Sequence, residues 1–272
     1  MGISNVMIHW FEDLFHRGVF RDCASILDLG PQDLVTTDAV IGNFVSSVSG
    51  KSSSIEQIRS SYFENGSVRP YAMRLFYAAM GLTQYDAVDL SDPRASIRLD
   101  LNEQNNLGRT FDVITNFGTA EHVFDISNVM RFMHDHLSPM GIALHVLPTR
   151  GDYNHGFYNI HSTFYRDLAA ANGYQIVSLR NVPDFGGQHL KVSKREKFGD
   201  STPRISVLTD IVGADDEGRE ESFAWTVATR LLYRRFVDKN ADSRIYDYIF
   251  AALRKTSSAP FRQPQQGYYS KC

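Results

Sequence analysis

The strongest constraint in this sequence is a recurring pair: a short apolar segment, then a helix-patterned stretch or a tight turn. SILDLG (25–30), YDAVDLS (85–91), RLDLN (98–102), FDVITNFG (111–118), GIALHVLP (141–148) and YQIVSLR (174–180) each read as a strand. They are too short for helices and are bounded by turn residues, as strands buried on both faces are. Between them, residues 68–80, 124–137 and 161–172 carry helical periodicity. Pro70 sits in the first turn of the first of these helices and Gly81 ends it, while Asn172-Gly173 ends the last. Strands and helices alternating at this spacing predict an α/β fold, a mostly parallel sheet with helices on both faces.

The flanking regions are less regular. Residues 5–20 predict an N-terminal helix with Met7, Trp10, Phe11 and Leu14 on one face. Residues 32–66, rich in Ser and Gly around VSSVSGKSSS, predict an insertion after the first strand that serves as a lid. ISVLTDIV (205–212) and FAWTVATRLLYRRF (223–236) predict strands, able to pair as a hairpin around the acidic run ADDEGREE (214–221). Residues 241–254 predict a helix, and a polar tail follows from Thr256. At 272 residues the chain suits one domain over 1–272, with an N-terminal helical segment (1–22), an insertion (32–66) and a tail (256–272). Seven strands are expected, the last antiparallel.

Charge and cysteine usage narrow the function classes. The formal net charge is −3, so no basic excess points to nucleic acid as a partner. The two cysteines, Cys23 and Cys272, make no disulfide framework and fit a reducing, cytoplasmic setting. The first residues carry acidic groups and no long apolar core, unlike a secretory signal. No apolar run reaches the roughly 18 residues of a membrane span, so no membrane partner is expected. A homodimer is left open.

In an open α/β sheet, ligands bind beyond the carboxyl ends of the strands. Four strand ends carry suitable groups: Asp28-Leu29-Gly30, Asp89-Leu90, Asp100-Leu101 and Asn116-Phe117-Gly118. Glycine lets a backbone approach a ligand closely, and a carboxylate at the second strand end can accept both hydroxyls of a ribose. The next loops carry Glu121 and His122, then His155, Tyr158, Asn159 and His161. Each has a plain structural alternative: a tight turn at Asp28–Gly30, a cap at Asp89, and packing or capping for the histidines. His134-Asp135-His136 is not read as a metal site, because positions i and i+2 of a helix point to different faces. No metal is assigned.

The ordered series ILDLGPQ, AVDLS, LDLN, FDVITNFGTAEHV and HLSPMGIALHVLP resembles the motifs of class I, Rossmann-like, S-adenosylmethionine-dependent methyltransferases, over about residues 22–180. HGFYNIHSTFYRDLAAANGY (155–174) is similar to a segment found in a bacterial subset of them. The resemblance implies S-adenosyl-L-methionine as cofactor. It places Gly30, within the loop Asp28-Leu29-Gly30-Pro31-Gln32, along the methionine part and Asp89 on the ribose. It sets Asp100 and Leu101 at the adenine, and Asn116 and Gly118 near the reacting methyl. One of the three glycines usual in the first loop is present, and Asp89 follows Gly30 at far more than the roughly 20–30 residues of a simple strand–helix–strand step. The insertion accounts for the excess.

Methyl transfer to a hydroxyl or ammonium group needs a proton acceptor, and His122 beside Glu121 is the first candidate, with His155 next. Tyr158, Asn159 and His161 are read as substrate-orienting. The acceptor is expected to be a small molecule, such as a sugar, a sugar-linked intermediate or a secondary metabolite. Two rivals remain. A nicotinamide-dependent oxidoreductase or epimerase shares the sheet, but GxGxxG and a Tyr-x-x-x-Lys pair are both missing. A non-catalytic, methyltransferase-like binding subunit is the other.

Overall fold

The computed structural model describes residues 2–50, 54–64, 67–69, 72–151, 155–184, 209–210 and 246–267. Its frame is one sheet built from β1 (Ser25–Leu29), β2 (Gln84–Asp89), β3 (Ile97–Arg98), β4 (Phe111–Phe117), β5 (Leu137–Arg150), β6 (Tyr174–Asp184) and β7 (Tyr246–Lys255). The spatial order is β6-β7-β5-β4-β1-β2-β3, and Thr209–Asp210 pairs antiparallel with the outer side of β6. β1 lies parallel between β2 and β4, and β4 pairs parallel with β5. β7 is antiparallel to both β5 and β6, so it fills the gap between them. This is the expected mostly parallel sheet, with β7 the antiparallel member of these seven strands.

Alternation along β1 explains the two-faced core. Ile26 joins one apolar cluster, while Leu27 and Leu29 join the other, as the period of two in a strand requires. The first cluster lies under α1 (Asn5–His16), α2 (Asp38–Ser49), α3 (Ile55–Tyr62) and α4 (Ala72–Ala79); the second lies under α5 (Ile126–His136) and α6 (Ser162–Asn172). In α1 the predicted face, Met7, Trp10, Phe11 and Leu14, is buried. Phe11 meets Phe76 and Phe117 edge-on, at 5.3 and 5.9 Å between ring centroids, so α1, α4 and the sheet share one aromatic contact set.

The insertion is structured and belongs to the first helical layer. Thr37 caps α2 by accepting from the Val40 N–H, and Gly50 closes it with φ 66°. Ser54 and Gln57 form a reciprocal capping box on α3. Ile41, Phe44 and Ile58 are buried in the same cluster as α1 and α4. Asp33–Val35 pairs parallel with Gly2–Ser4, tying the start of the insertion to the N-terminal segment.

One expectation changes toward the C-terminal side. The helix predicted over 241–254 is instead a strand where it is described, Tyr246–Lys255. Phe250 and Ala252 enter one core cluster while Ile249, Ala251 and Leu253 enter the other. A strand covered on both faces is a continuous apolar run, which periodicity does not separate from a buried helix. The predicted strand at 223–236 lies outside the described residues, as does most of 205–212. The tail is docked: the ring of Phe261 packs on the second cluster under Arg131, and Asn172 exchanges hydrogen bonds with the backbone of Arg262.

Phe76→Ala removes a fully buried ring stacked on Phe44 at 4.6 Å. It is expected to cost about 3–5 kcal/mol of stability, measured by urea unfolding.

Candidate functional site

The carboxyl ends of the parallel strands open on one cavity of about 390 Å³, within the size range of ligand sites. Gly30, Gln32, Asp89, Leu90, Asp100, Leu101, Gly118 and His122, predicted separately from four loops, all line it. The strand register brings them together. Leu29 lies opposite Val88 of β2 and Asn116 of β4, so the residues just beyond each strand emerge side by side.

The turn after β1 is built for close approach. Gly30 has φ 77°, and a Cβ there would stand 2.9 Å from the Thr119 hydroxyl oxygen. Its N–H donates to the Val88 carbonyl at 2.8 Å. The Thr119 hydroxyl donates to the Leu29 carbonyl. Gln32 donates from Nε2 to the carbonyls of Gly30 and Phe117, at 2.9 and 3.2 Å. This buried amide bridges β1 to β4 and fixes a loop that carries a single glycine.

At the end of β2, Asp89 Oδ1 accepts the N–H groups of Ser91 and Asp92, each at 2.8 Å. Its Oδ2 lies on the Gly30 side, 3.8 Å from where a Gly30 Cβ would stand. Asp100 sits past β3, and hydrogen bonds from the Asn102 backbone and side-chain amides hold its carboxyl below the usual range. The lining also includes Asp33, Asp92, Arg94 and Thr119, which sequence reasoning did not single out. Arg94 pairs with both Asp92 and Asp33, clasping the insertion to the β2 loop. The cavity therefore carries four carboxylates and one guanidinium, which is already committed to two of them.

Three of the predicted cofactor residues stand behind the lining. Asp28 is fully buried on the α4 side, where it accepts from the hydroxyls of Tyr77 and Thr115. Alternation along β1 turns it away from the cavity. Burial raises its carboxyl to about 7, against the opposing pull of those hydroxyl donors. Asn116 is buried: its Oδ1 accepts the Ala120 N–H at 3.0 Å, and its Nδ2 lies 3.3 Å from His145 Nδ1. With Oδ1 so used, Nδ2 is the donor and His145 Nδ1 the acceptor. Burial also pushes His145 down to about 3, so the ring is neutral. Phe117 is core, edge-on to Phe11.

The predicted catalytic residues converge. Asn116 sets the short 3-10 turn Ala120–His122. Glu121 on it is fully buried, and its Oε1 lies 4.0 Å from His122 Nε2 and 3.9 Å from His155 Nε2. The two imidazole rings are 4.7 Å apart. The Phe157 N–H donates to the Glu121 carbonyl at 2.6 Å, and Tyr158 donates from its hydroxyl to the Phe124 carbonyl at 2.6 Å. Tyr158 thus braces this wall. Asn159 reaches the Gly151 carbonyl at 3.4 Å, while exposed His161 begins α6 without a side-chain cap. His134 and His136 spend both ring nitrogens on protein partners: His134 on Tyr174 and the Ala259 carbonyl, His136 on the Leu107 N–H and the Phe132 carbonyl.

A family model described as a methyltransferase domain matches residues 8–186, and the chain belongs to that family. The enzyme class, a methyltransferase, is the one the strand-end motifs resemble. No curated protein matches the sequence. Among solved structures, a provisionally named sarcosine dimethylglycine methyltransferase from Galdieria sulphuraria is 13% identical, over 92% of this chain and 85% of that one, with TM-score 0.46. The N-methyltransferase NodS from Bradyrhizobium japonicum, in complex with S-adenosyl-L-homocysteine, is 11% identical over 93% and 88%, with TM-score 0.40. The [4+2]-cyclase SpnF is 14% identical over 90% and 80%, with TM-score 0.42. Among the described residues no helix is long and apolar enough to cross a membrane.

The raised Asp28 carboxyl has a consequence for stability. An unfolded aspartate titrates near 3.8, so between about pH 4 and 7 the folded chain holds the extra proton. Its stabilising contribution is complete below about pH 4 and fades as pH rises through 7. Asp28→Asn, a mimic of the protonated form, is expected to remove that loss. In urea unfolding its stability relative to wild type should improve from pH 4 to pH 7.5, by an amount on the order of a few kcal/mol.

Proposed function

We propose that this methyltransferase transfers the methyl group of S-adenosyl-L-methionine to an oxygen or nitrogen of a small-molecule acceptor, such as a sugar, a sugar-linked intermediate or a secondary metabolite. The observation that carries the cofactor is the charge of the cavity. Four aspartates against one already-paired arginine suit a cationic sulfonium and two ribose hydroxyls. They do not suit the diphosphate of a nicotinamide dinucleotide, which calls for a glycine-rich turn leading straight into a helix N-terminus. Here β1 runs into Gly30-Pro31-Gln32 and the short strand Asp33–Val35 instead.

The residues fit the roles the resemblance implies. Asp89, at the end of β2, would take the ribose hydroxyls. Asp100 and Leu101 would flank the adenine. Gly30, with no Cβ against Thr119, would admit the methionine part, with Gly118 across from it. When bound, the cofactor supplies an electrophilic methyl on sulfur. The enzyme then has to align the acceptor for in-line attack and exclude water, which is largely a matter of positioning. His122 is the member of the Glu121, His122 and His155 cluster that lines the cavity. Removal of the acceptor's proton falls to that cluster.

Titration calorimetry with S-adenosylmethionine, S-adenosylhomocysteine and NAD separates the rivals. Binding of both sulfur ligands and not of NAD is expected, and binding of NAD alone would falsify the cofactor reading. A chain that binds the sulfur ligands yet methylates nothing in a metabolite pool, by mass spectrometry, would be the binding subunit instead. Asp89→Ala should weaken cofactor binding by about 1–3 kcal/mol in the same calorimeter. His122→Ala should lower turnover by about 10²–10⁴-fold with cofactor affinity retained.

A further inference from the structure

Glu121, His122 and His155 do more than crowd one wall: each offers one donor atom within 4.8 Å of the others. They come from two segments of chain that the backbone joins closely. A Cβ at Gly156 would stand 2.8 Å from the Glu121 carbonyl oxygen and 2.9 Å from its Cγ. Only glycine lets the loop bearing His155 pack so tightly, and the Phe157 N–H fastens it to Glu121. The carboxylate is fully buried, whereas the imidazoles are 44% and 38% exposed. The set is therefore anchored at its base and open at its tips.

We propose that this trio is a binding site for a divalent transition-metal ion, with Glu121, His122 and His155 as ligands on one side and open positions toward the cavity. Two imidazoles and a carboxylate favour zinc, iron, cobalt, nickel or manganese over magnesium or calcium, which prefer oxygen donors. Donors bound at about 2.0–2.2 Å lie roughly 3–3.5 Å from one another. The Glu121–imidazole separations of 3.9 and 4.0 Å exceed that by less than an ångström. Small rotations of the exposed imidazoles close the gap. His122 borders the cavity, so an ion here faces its interior, and an acceptor oxygen in an open position becomes more acidic. The ion lowers the acceptor's pKa, and solvent water takes the proton as the oxygen attacks the methyl, with His122 acting as ligand and not as base. That last step rests on the methyl-transfer reading; the binding of the ion does not.

Tag-free protein, stripped with a chelator and titrated with zinc(II) and separately with cobalt(II), tests the site with no cofactor or acceptor present. One ion per chain is expected, with a cobalt ligand-field absorption band that zinc abolishes. His122→Ala and His155→Ala should each weaken binding at least tenfold, with thermal unfolding unchanged because both side chains are exposed. Glu121→Gln, at the buried position, should lose binding altogether. If Glu121→Gln misfolds, the two histidine variants still decide. No saturable binding by the wild type, or binding that survives unchanged in both histidine variants, overturns the site and leaves the S-adenosylmethionine calorimetry untouched.

Discussion

The parallel pairing of β1 with β2 on one side and β4 on the other is the constraint on which the site depends. Because Leu29 stands level with both Val88 and Asn116, the backbone turns after all three strands at one height. Gly30, Asp89 and Gly118 are neighbours for that reason alone. A slip of one residue in β1 would send Ile26 and Leu27 to each other's faces and carry Gly30 off the rim. The start of the strand is secured against this: Asp112 Oδ2 accepts the N–H groups of Ala24 and Ser25 and the Ser25 hydroxyl, at 2.8 to 2.9 Å.

Behind the rim stands a second tier of polar residues. Asn116 hardly differs from a core residue in burial, yet it connects neutral His145 to the turn that presents Glu121 and His122. Gln32 plays a comparable part beneath Gly30. A buried amide bonded at both ends, as that of Asn116 is, holds a loop more firmly than apolar packing alone, because each alternative conformation leaves a polar atom without a partner.

Much of this was legible in the sequence. Asp89, Asp100 and Gly118 could be placed because a strand's length and its terminating residue locate its end, and the sheet then dictates that ends converge. Glu121, His122 and His155 could be nominated from their loops. What the sequence withheld was direction. Asp28 looked like a ligand residue from its neighbours, and only the alternation fixed by the finished sheet sends it toward Tyr77. Arg94 and Asp33 are ordinary surface residues until the fold joins them across the insertion. The last strand was read as a helix because an apolar run covered on both faces carries no period, and its partners β5 and β6 lie far away in the chain.

That last strand also sets the order in which the molecule can be assembled. β7 is the connection between β5 and β6, and it is made of residues 246–255. While the chain is being synthesised, β6 emerges with no place in the main sheet, and β5 has an open edge beside β4. Both wait until residues 246–255 have been made. Contacts of such long sequence separation close slowly and leave strand edges exposed in the meantime. The core of the cavity, built from β1, β2 and β4, is synthesised long before the sheet that steadies it can be finished.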